Sequence, residues 1–300
     1  MTESLPTLAE FLAGWDLFRD PIIVSAVAGG VLGYLGVFVV LRRMVFAAMA
    51  LAQAAGCGVA LAFFLEIHAG LPKLLAAPRA WSLGLTLLAT LALQWPGKKV
   101  ITREGLLALA YLVGGGGALL LGTRITQEAH DIQAILFGTA VVVGPTDVQL
   151  VLGAGLIIAV WQLWWRRGFL YASLDQEGAL VRGLPVALLD AVLLLSFAIF
   201  VAIATRALGA LPVFAFSVLP AMAAVAVCSS PGLAFAVATV LGAIAGAGGY
   251  LVAFFWSFPV GASQTVLAAG FVVVALALRG LLHLASQLRG SATAVKPADG

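Results

Sequence analysis

The sequence predicts an all-α polytopic membrane protein, a bundle of about nine transmembrane helices with one short helix on its cytoplasmic side. Three observations lead there. Mean hydropathy is +1.12, with 63% of the 300 residues hydrophobic and 10% charged. Apolar runs of roughly 18–22 residues recur along the chain, each long enough to cross a hydrocarbon core of about 30 Å as a helix. A short charged island, residues 173–185, carries Asp175, Glu177 and Arg182 between two long apolar segments.

The predicted spans are 22–41, 48–66, 81–96, 105–122, 147–165, 186–205, 208–228, 232–253 and 263–284. Residues 1–20 form an N-terminal segment with Glu3, Glu10, Asp16 and Asp20 but no basic run or small-residue cleavage site, so no cleaved signal peptide is expected. With the N-terminus outside, Arg42, Arg43, Lys98, Lys99, Arg103, Arg166, Arg167, Arg182, Arg279, Arg289 and Lys296 fall on the cytoplasmic side. Arg19, Lys73, Arg79, Arg124 and Arg206 remain outside. This bias has the sense of the positive-inside rule and puts the C-terminus in the cytoplasm, on the inner membrane. The membrane-spanning body is then 21–285, and 286–300 reads as a short disordered tail. The stretch His130–Val143 is too short for a span and reads as interfacial or re-entrant.

Inside the spans, Gly29/Gly33 and Gly242/Gly246 lie four apart, on single helix faces that admit a neighbouring backbone. The run Gly114–Gly117 is the candidate for a broken helix, because successive glycines lower helix stability. Pro212 and Pro220 are each expected to remove an intrahelical hydrogen bond.

No phosphate-binding G-x-x-x-x-G-K-[ST] loop, zinc-type Cys/His spacing or nucleophile–base set is present, so an enzyme is not expected. The basic pI has a membrane explanation and does not call for nucleic acid. Cys57 and Cys228 sit in apolar runs, where a disulfide is not expected. Asp190 lies within a predicted span, about a turn from its cytoplasmic end; it either solvates itself there, serves a pathway, or fixes the island. Met49, Gln53 and Cys57 repeat every four residues and share a helix face. They form either a packing stripe or a row of thioether, amide and thiol suited to a soft cation. The island carries Asp175, Glu177 and Arg182 at helical spacing and ends at Gly183 and Pro185, which stop a helix. A charged helix between spans is a handle for a water-soluble partner, and points to a transporter driven from outside itself.

Several motifs, over roughly residues 20–285, resemble the membrane subunit of ATP-binding-cassette importers for zinc, manganese and iron. They are Leu41-Arg-Arg-Met44, Leu51-Ala-Gln-Ala54, Gly58-Val-Ala-Leu61, Asp131 to Gly138, the island Asp175 to Pro185 with Asp190, Gly209-Ala-Leu-Pro-Val213, Val218-Leu-Pro-Ala221 and Pro259-Val-Gly261. The resemblance implies a paired permease, with a second copy or a paralogue, and an external solute-binding protein. It also implies a separate ATPase that holds the ATP, with no cofactor in this chain. The island, about 173–185, would be the coupling helix, with Asp175, Glu177, Ala179, Arg182 and Gly183 facing the ATPase. Met49, Gln53, Cys57 and Asp190 would line the translocation path. Family members usually carry an acidic residue at the position of Met49, a histidine at that of Gln53 and an acid at that of Ser257. No metal ligand is therefore assigned. The leading expectation is import of a divalent ion, zinc or manganese. The alternatives are a permease for a metal chelate or small organic solute, or a non-transporting scaffold that docks an ATPase.

Overall fold

The computed structural model describes residues 6–72, 74–94, 102–125 and 143–294. Among them the chain is helical, with no strand: α1 (Leu8–Ala13), α2 (Trp15–Leu41), α3 (Val45–His68), α4 (Pro78–Gln94), α5 (Arg103–Arg124), α6 (Pro145–Trp164), α7 (Arg166–Leu174), α8 (Gln176–Val181), α9 (Val186–Leu208), α10 (Ala210–Val227), α11 (Pro231–Trp256) and α12 (Val260–Ala294). Eight are long and apolar enough to span a membrane: α2, α3, α5, α6, α9, α10, α11 and α12. The remaining expected span is α4, whose 17 residues reach about 26 Å. The segment 126–142, with most of the His130–Val143 stretch, lies outside the described residues.

The helix ends follow local chemistry. Proline opens α6 and α11 at the first helical position, where its missing N–H costs nothing. Ser230 caps α11 by accepting from the Leu233 amide. Gly209, at φ +95°, turns the chain between α9 and α10. That turn also corrects an expectation: Pro212 falls in the first turn of α10, where the amides have no intrahelical acceptor, so it removes no hydrogen bond. Pro220 and Pro21 are the prolines inside helices.

Other expectations are revised as well. α2 begins at Trp15 and carries Asp16 and Asp20 in its first turns, so its helix starts well before residue 22. α12 continues to Ala294 where a disordered tail from 286 was expected. An extra helix, α7, lies between the fifth predicted span and the island.

α2 is the axis of the bundle, packed on α11, α10 and α6; α3 gathers α5, α4, α9 and α10 around it. The α2–α11 seam is built from missing side chains. Gly29 and Gly242 face each other, and a Cβ on either would overlap the carbonyl of the other. Gly33 meets the Ala238 carbonyl, Gly246 the Ser25 carbonyl and, on α10, Ser217 meets Gly36 in the same way. Backbones this close gain dispersion contacts where lipid removes any hydrophobic drive between helices.

The Gly114–Gly117 run does not break α5, which is continuous from Arg103 to Arg124. A Cβ at Gly114 would lie 2.9 Å from the Gln53 carbonyl carbon, and one at Gly117 would lie 3.0 Å from Cys57 Sγ. The glycines are the price of contact with α3, and that contact offsets their poor helix propensity.

Gly242→Val forces the α2–α11 backbones apart and is expected to cost about 1–3 kcal/mol, read as a lower unfolding midpoint of the detergent-purified protein. Gly153 on α6 has open space around its Cβ position, so Gly153→Ala should leave the midpoint unchanged or raise it slightly.

Candidate functional site

Chain direction sorts the polar groups into two ends. α2 runs toward Arg42, α6 runs into α7 and α8, and α9 leaves α8 for the opposite end. Each end holds one cluster of charge.

At the α8 end, Arg42 closes α2 as its C-cap. Its guanidinium donates to Asp190 Oδ1 at 2.5 Å and to Ser173 Oγ at 2.8 Å. Gln176 at the start of α8 donates to the other Asp190 oxygen at 3.3 Å, and Ser173 donates in turn to the Phe169 carbonyl. Arg42 and Asp190 together thus join the end of α2, the end of α7, the start of α8 and the first turns of α9. The Arg42 side chain is only 8% exposed, so the cation is held away from water and depends on these acceptors. Asp190, one of the expected path residues, is placed in this clamp.

α8 is a single well-capped turn and a half. The Asp175 carboxylate accepts from the Gly178 amide at 2.9 Å, as an N-cap. At the other end Gly183, at φ +75°, makes a paired closure: its amide donates to the Leu180 carbonyl, and the Leu184 amide donates to the Ala179 carbonyl. Arg182 lies over the Tyr171 ring at 4.8 Å. Asp175, Glu177, Arg182 and Gly183 are exposed. Ala179 is not: it is fully buried against the bundle, which corrects the expectation that it faces outward. Leu180 and Val181 take its place on the open side, and Val181 is 89% exposed. The missed signal was two apolar residues in the most polar loop of the chain. The open face therefore has an apolar centre with acidic and basic groups beside it.

The row Met49, Gln53 and Cys57 is half-buried on α3. Gln53 and Cys57 face the glycine run of α5, with Gln53 Oε1 within 3.3 Å of the Cβ position of Gly115. Among the described residues no three His, Cys, Asp or Glu side chains converge in a way that would hold a metal ion. Ser257 ends α11 in a left-handed conformation, φ +52°, a position shaped by the turn.

The far end holds a cluster that sequence reasoning missed. Asp147, in the first turn of α6, is buried and accepts from Arg79 Nη2 at 3.0 Å and from Arg206 Nη1 at 2.5 Å. It also accepts from the Gly144 amide, closing the N-terminus of its own helix. α4, α6 and α9 are tied here. Pairs 59 and 68 residues apart leave no local signature.

Asp147→Asn should cost about 3 kcal/mol, because two guanidinium groups lose their carboxylate, whereas Arg79→Gln, at a half-exposed side chain, should cost less than about 1 kcal/mol. Thermal unfolding of the two variants checks the order. Asp190→Ala should in addition expose the α7–α8 segment to protease while the remaining spans stay protected.

Comparison with known proteins agrees with this architecture. An uncharacterized membrane protein of Synechocystis sp. is 24% identical over 196 residues, 65% of this chain and 66% of that protein. The manganese transport system membrane protein MntC of Halalkalibacterium halodurans is 21% identical over 199 residues, 66% of this chain and 65% of that one. The matched part therefore spans just under two thirds of these two relatives. The high-affinity zinc uptake system membrane protein ZnuB of Haemophilus influenzae is 26% identical over 204 residues, 66% of this chain and 72% of that one. In fold, the chain is similar to PsaBC from Streptococcus pneumoniae in complex with Fab, with a TM-score of 0.77 at 24% identity over 90% of this chain and 95% of that one. A family model matches residues 15–279, nearly the whole bundle, and the chain belongs to the ABC 3 transport family.

Proposed function

We propose that this chain is the transmembrane subunit of an importer that carries a divalent metal ion, zinc or manganese, across the cytoplasmic membrane. A separate ATPase drives it from the cytoplasmic side. The observation that carries the reading is α8: a short capped helix whose open face combines Val181 and Leu180 with Asp175, Glu177 and Arg182, clamped through Asp190 to the end of α2. An apolar centre with a charged rim is the anatomy of a protein-docking patch. A force applied there reaches α2 through Arg42 and α9 through Asp190. The bundle itself supplies seams on which backbones meet with few intervening side chains, along α2, α10 and α11.

In this reading α8 lies in the cytoplasm, the Asp147 end faces the solute-binding protein, and a second copy or a paralogue completes the pore. Met49, Gln53 and Cys57 line the path at the α3–α5 seam. An amide and two sulfur groups are weak ligands for a hard ion and better ones for a soft or borderline ion. Cargo then passes without a tight intramembrane site, and selection rests on the solute-binding protein. The same donor set favours a second reading, in which the cargo is a metal chelate that brings its own ligands.

The experiment is reconstitution with the partner ATPase and binding protein in proteoliposomes, with ATP-dependent uptake of zinc and manganese measured. Val181→Asp, which buries a carboxylate in the docking patch, should lower uptake at least tenfold while the bundle keeps its unfolding midpoint. Gln53→Ala should change uptake with ATPase docking intact. Uptake indifferent to Val181→Asp removes α8 from the drive, and uptake of chelates alone transfers the reading to the second cargo.

A further inference from the structure

A cleft of about 460 Å³ opens between α2, α6 and α11, a volume within the range of small-molecule sites, about 300–1,000 Å³. Its walls are apolar, with Ile158, Phe235 and Val240 among them, and Arg166 lines it where α6 gives way to α7. Tyr34 stands in the same wall, and its hydroxyl has no hydrogen-bond partner among the described residues. Gly232, at the second position of the 26-residue α11, also lines it, so the N-terminal end of that helix borders the cleft that Arg166 lines. No carboxylate lines the cleft among the described residues.

Depth in the membrane is fixed by the neighbouring aromatics. Trp161, Trp164 and Trp165 are exposed on the last turn of α6, with Trp164 83% exposed, and tryptophans in such a position settle at the headgroup level. Arg166 follows directly, so its charge lies among the headgroups while the rest of the cleft extends along α6 into the hydrocarbon. A basic group over an apolar slot between spans matches an anionic phospholipid in both halves: phosphate on the guanidinium fork, acyl chain along the slot.

We propose that the α2–α6–α11 cleft is a binding site for one anionic phospholipid, held by Arg166 at the headgroup and by Phe235 and Val240 along its chain. The site depends on the membrane location of the bundle and not on the identity of its cargo. Because it touches α2 and α11, whose glycine seam is the tightest in the bundle, the bound lipid also braces that pair.

The test is native mass spectrometry of the chain extracted from nanodiscs made of equal parts phosphatidylglycerol and phosphatidylcholine. The wild-type chain should retain phosphatidylglycerol about fivefold over phosphatidylcholine, the preference expected of one basic group at the interface. Arg166→Gln should abolish that preference, Arg167→Gln should keep it, and Ala236→Trp, which fills the slot from an exposed position, should lose both lipids. The proposal is overturned by equal retention of the two lipids in the wild-type chain. Unchanged preference in Arg166→Gln overturns it too, as does cross-linking of Val240→Cys to a second copy of the chain, which would show protein covering the cleft.

Discussion

The Arg42–Asp190 pair is the constraint on which the arrangement of the α8 end depends. A guanidinium with 8% of its side chain exposed must have acceptors, and the ones it finds belong to α7 and α9. Gln176 shares the same carboxylate, so α8 leaves the bundle only by giving up its bond to Asp190, while the end of α7 is held through Ser173 by Arg42 itself. The pair therefore acts less as a source of net stability than as a selector of one placement for a helix that is too short to hold itself. The caps at Asp175 and Gly183 fix its length, Ala179 fixes which side faces in, and the residues left facing out are those available to a partner.

The glycine seams complement that rigidity. At Gly29 and Gly242 the two backbones touch, which leaves no side chains to interlock and resist sliding. The α3–α5 contact has the same character at Gly114 and Gly117, beside Gln53 and Cys57. A bundle with firmly tied ends, Asp147 with its two arginines at one and Asp190 with Arg42 at the other, and close smooth seams between them is suited to rigid-body displacement of helices. In such an arrangement the ion pairs carry the load and the seams permit the motion.

Much of this was legible in the residues. The spans declare themselves through hydropathy alone, and the helix in the island declares itself through Asp175, Gly183 and Pro185. What could not be read is tertiary in origin. Ala179 turns inward because of where α8 lands, and a six-residue helix has no periodicity long enough to reveal its inner face. The Gly114–Gly117 run looks like a break when propensity is judged alone, and becomes a contact surface once α3 is beside it. Pro212 looks like a kink until Gly209 is seen to restart the helix three residues earlier. Asp147 stands at the edge of an apolar run like any solvated cap, and only the fold brings Arg79 and Arg206 to it.

The central claim is that α8 is a cytoplasmic handle. Its most direct test is the accessibility of a single cysteine at position 181, in a chain whose Cys57 and Cys228 have been replaced, to a membrane-impermeant maleimide. Labelling in inside-out vesicles, protection in intact cells and loss of labelling when the ATPase is bound is the predicted pattern. Labelling from outside intact cells would contradict the account.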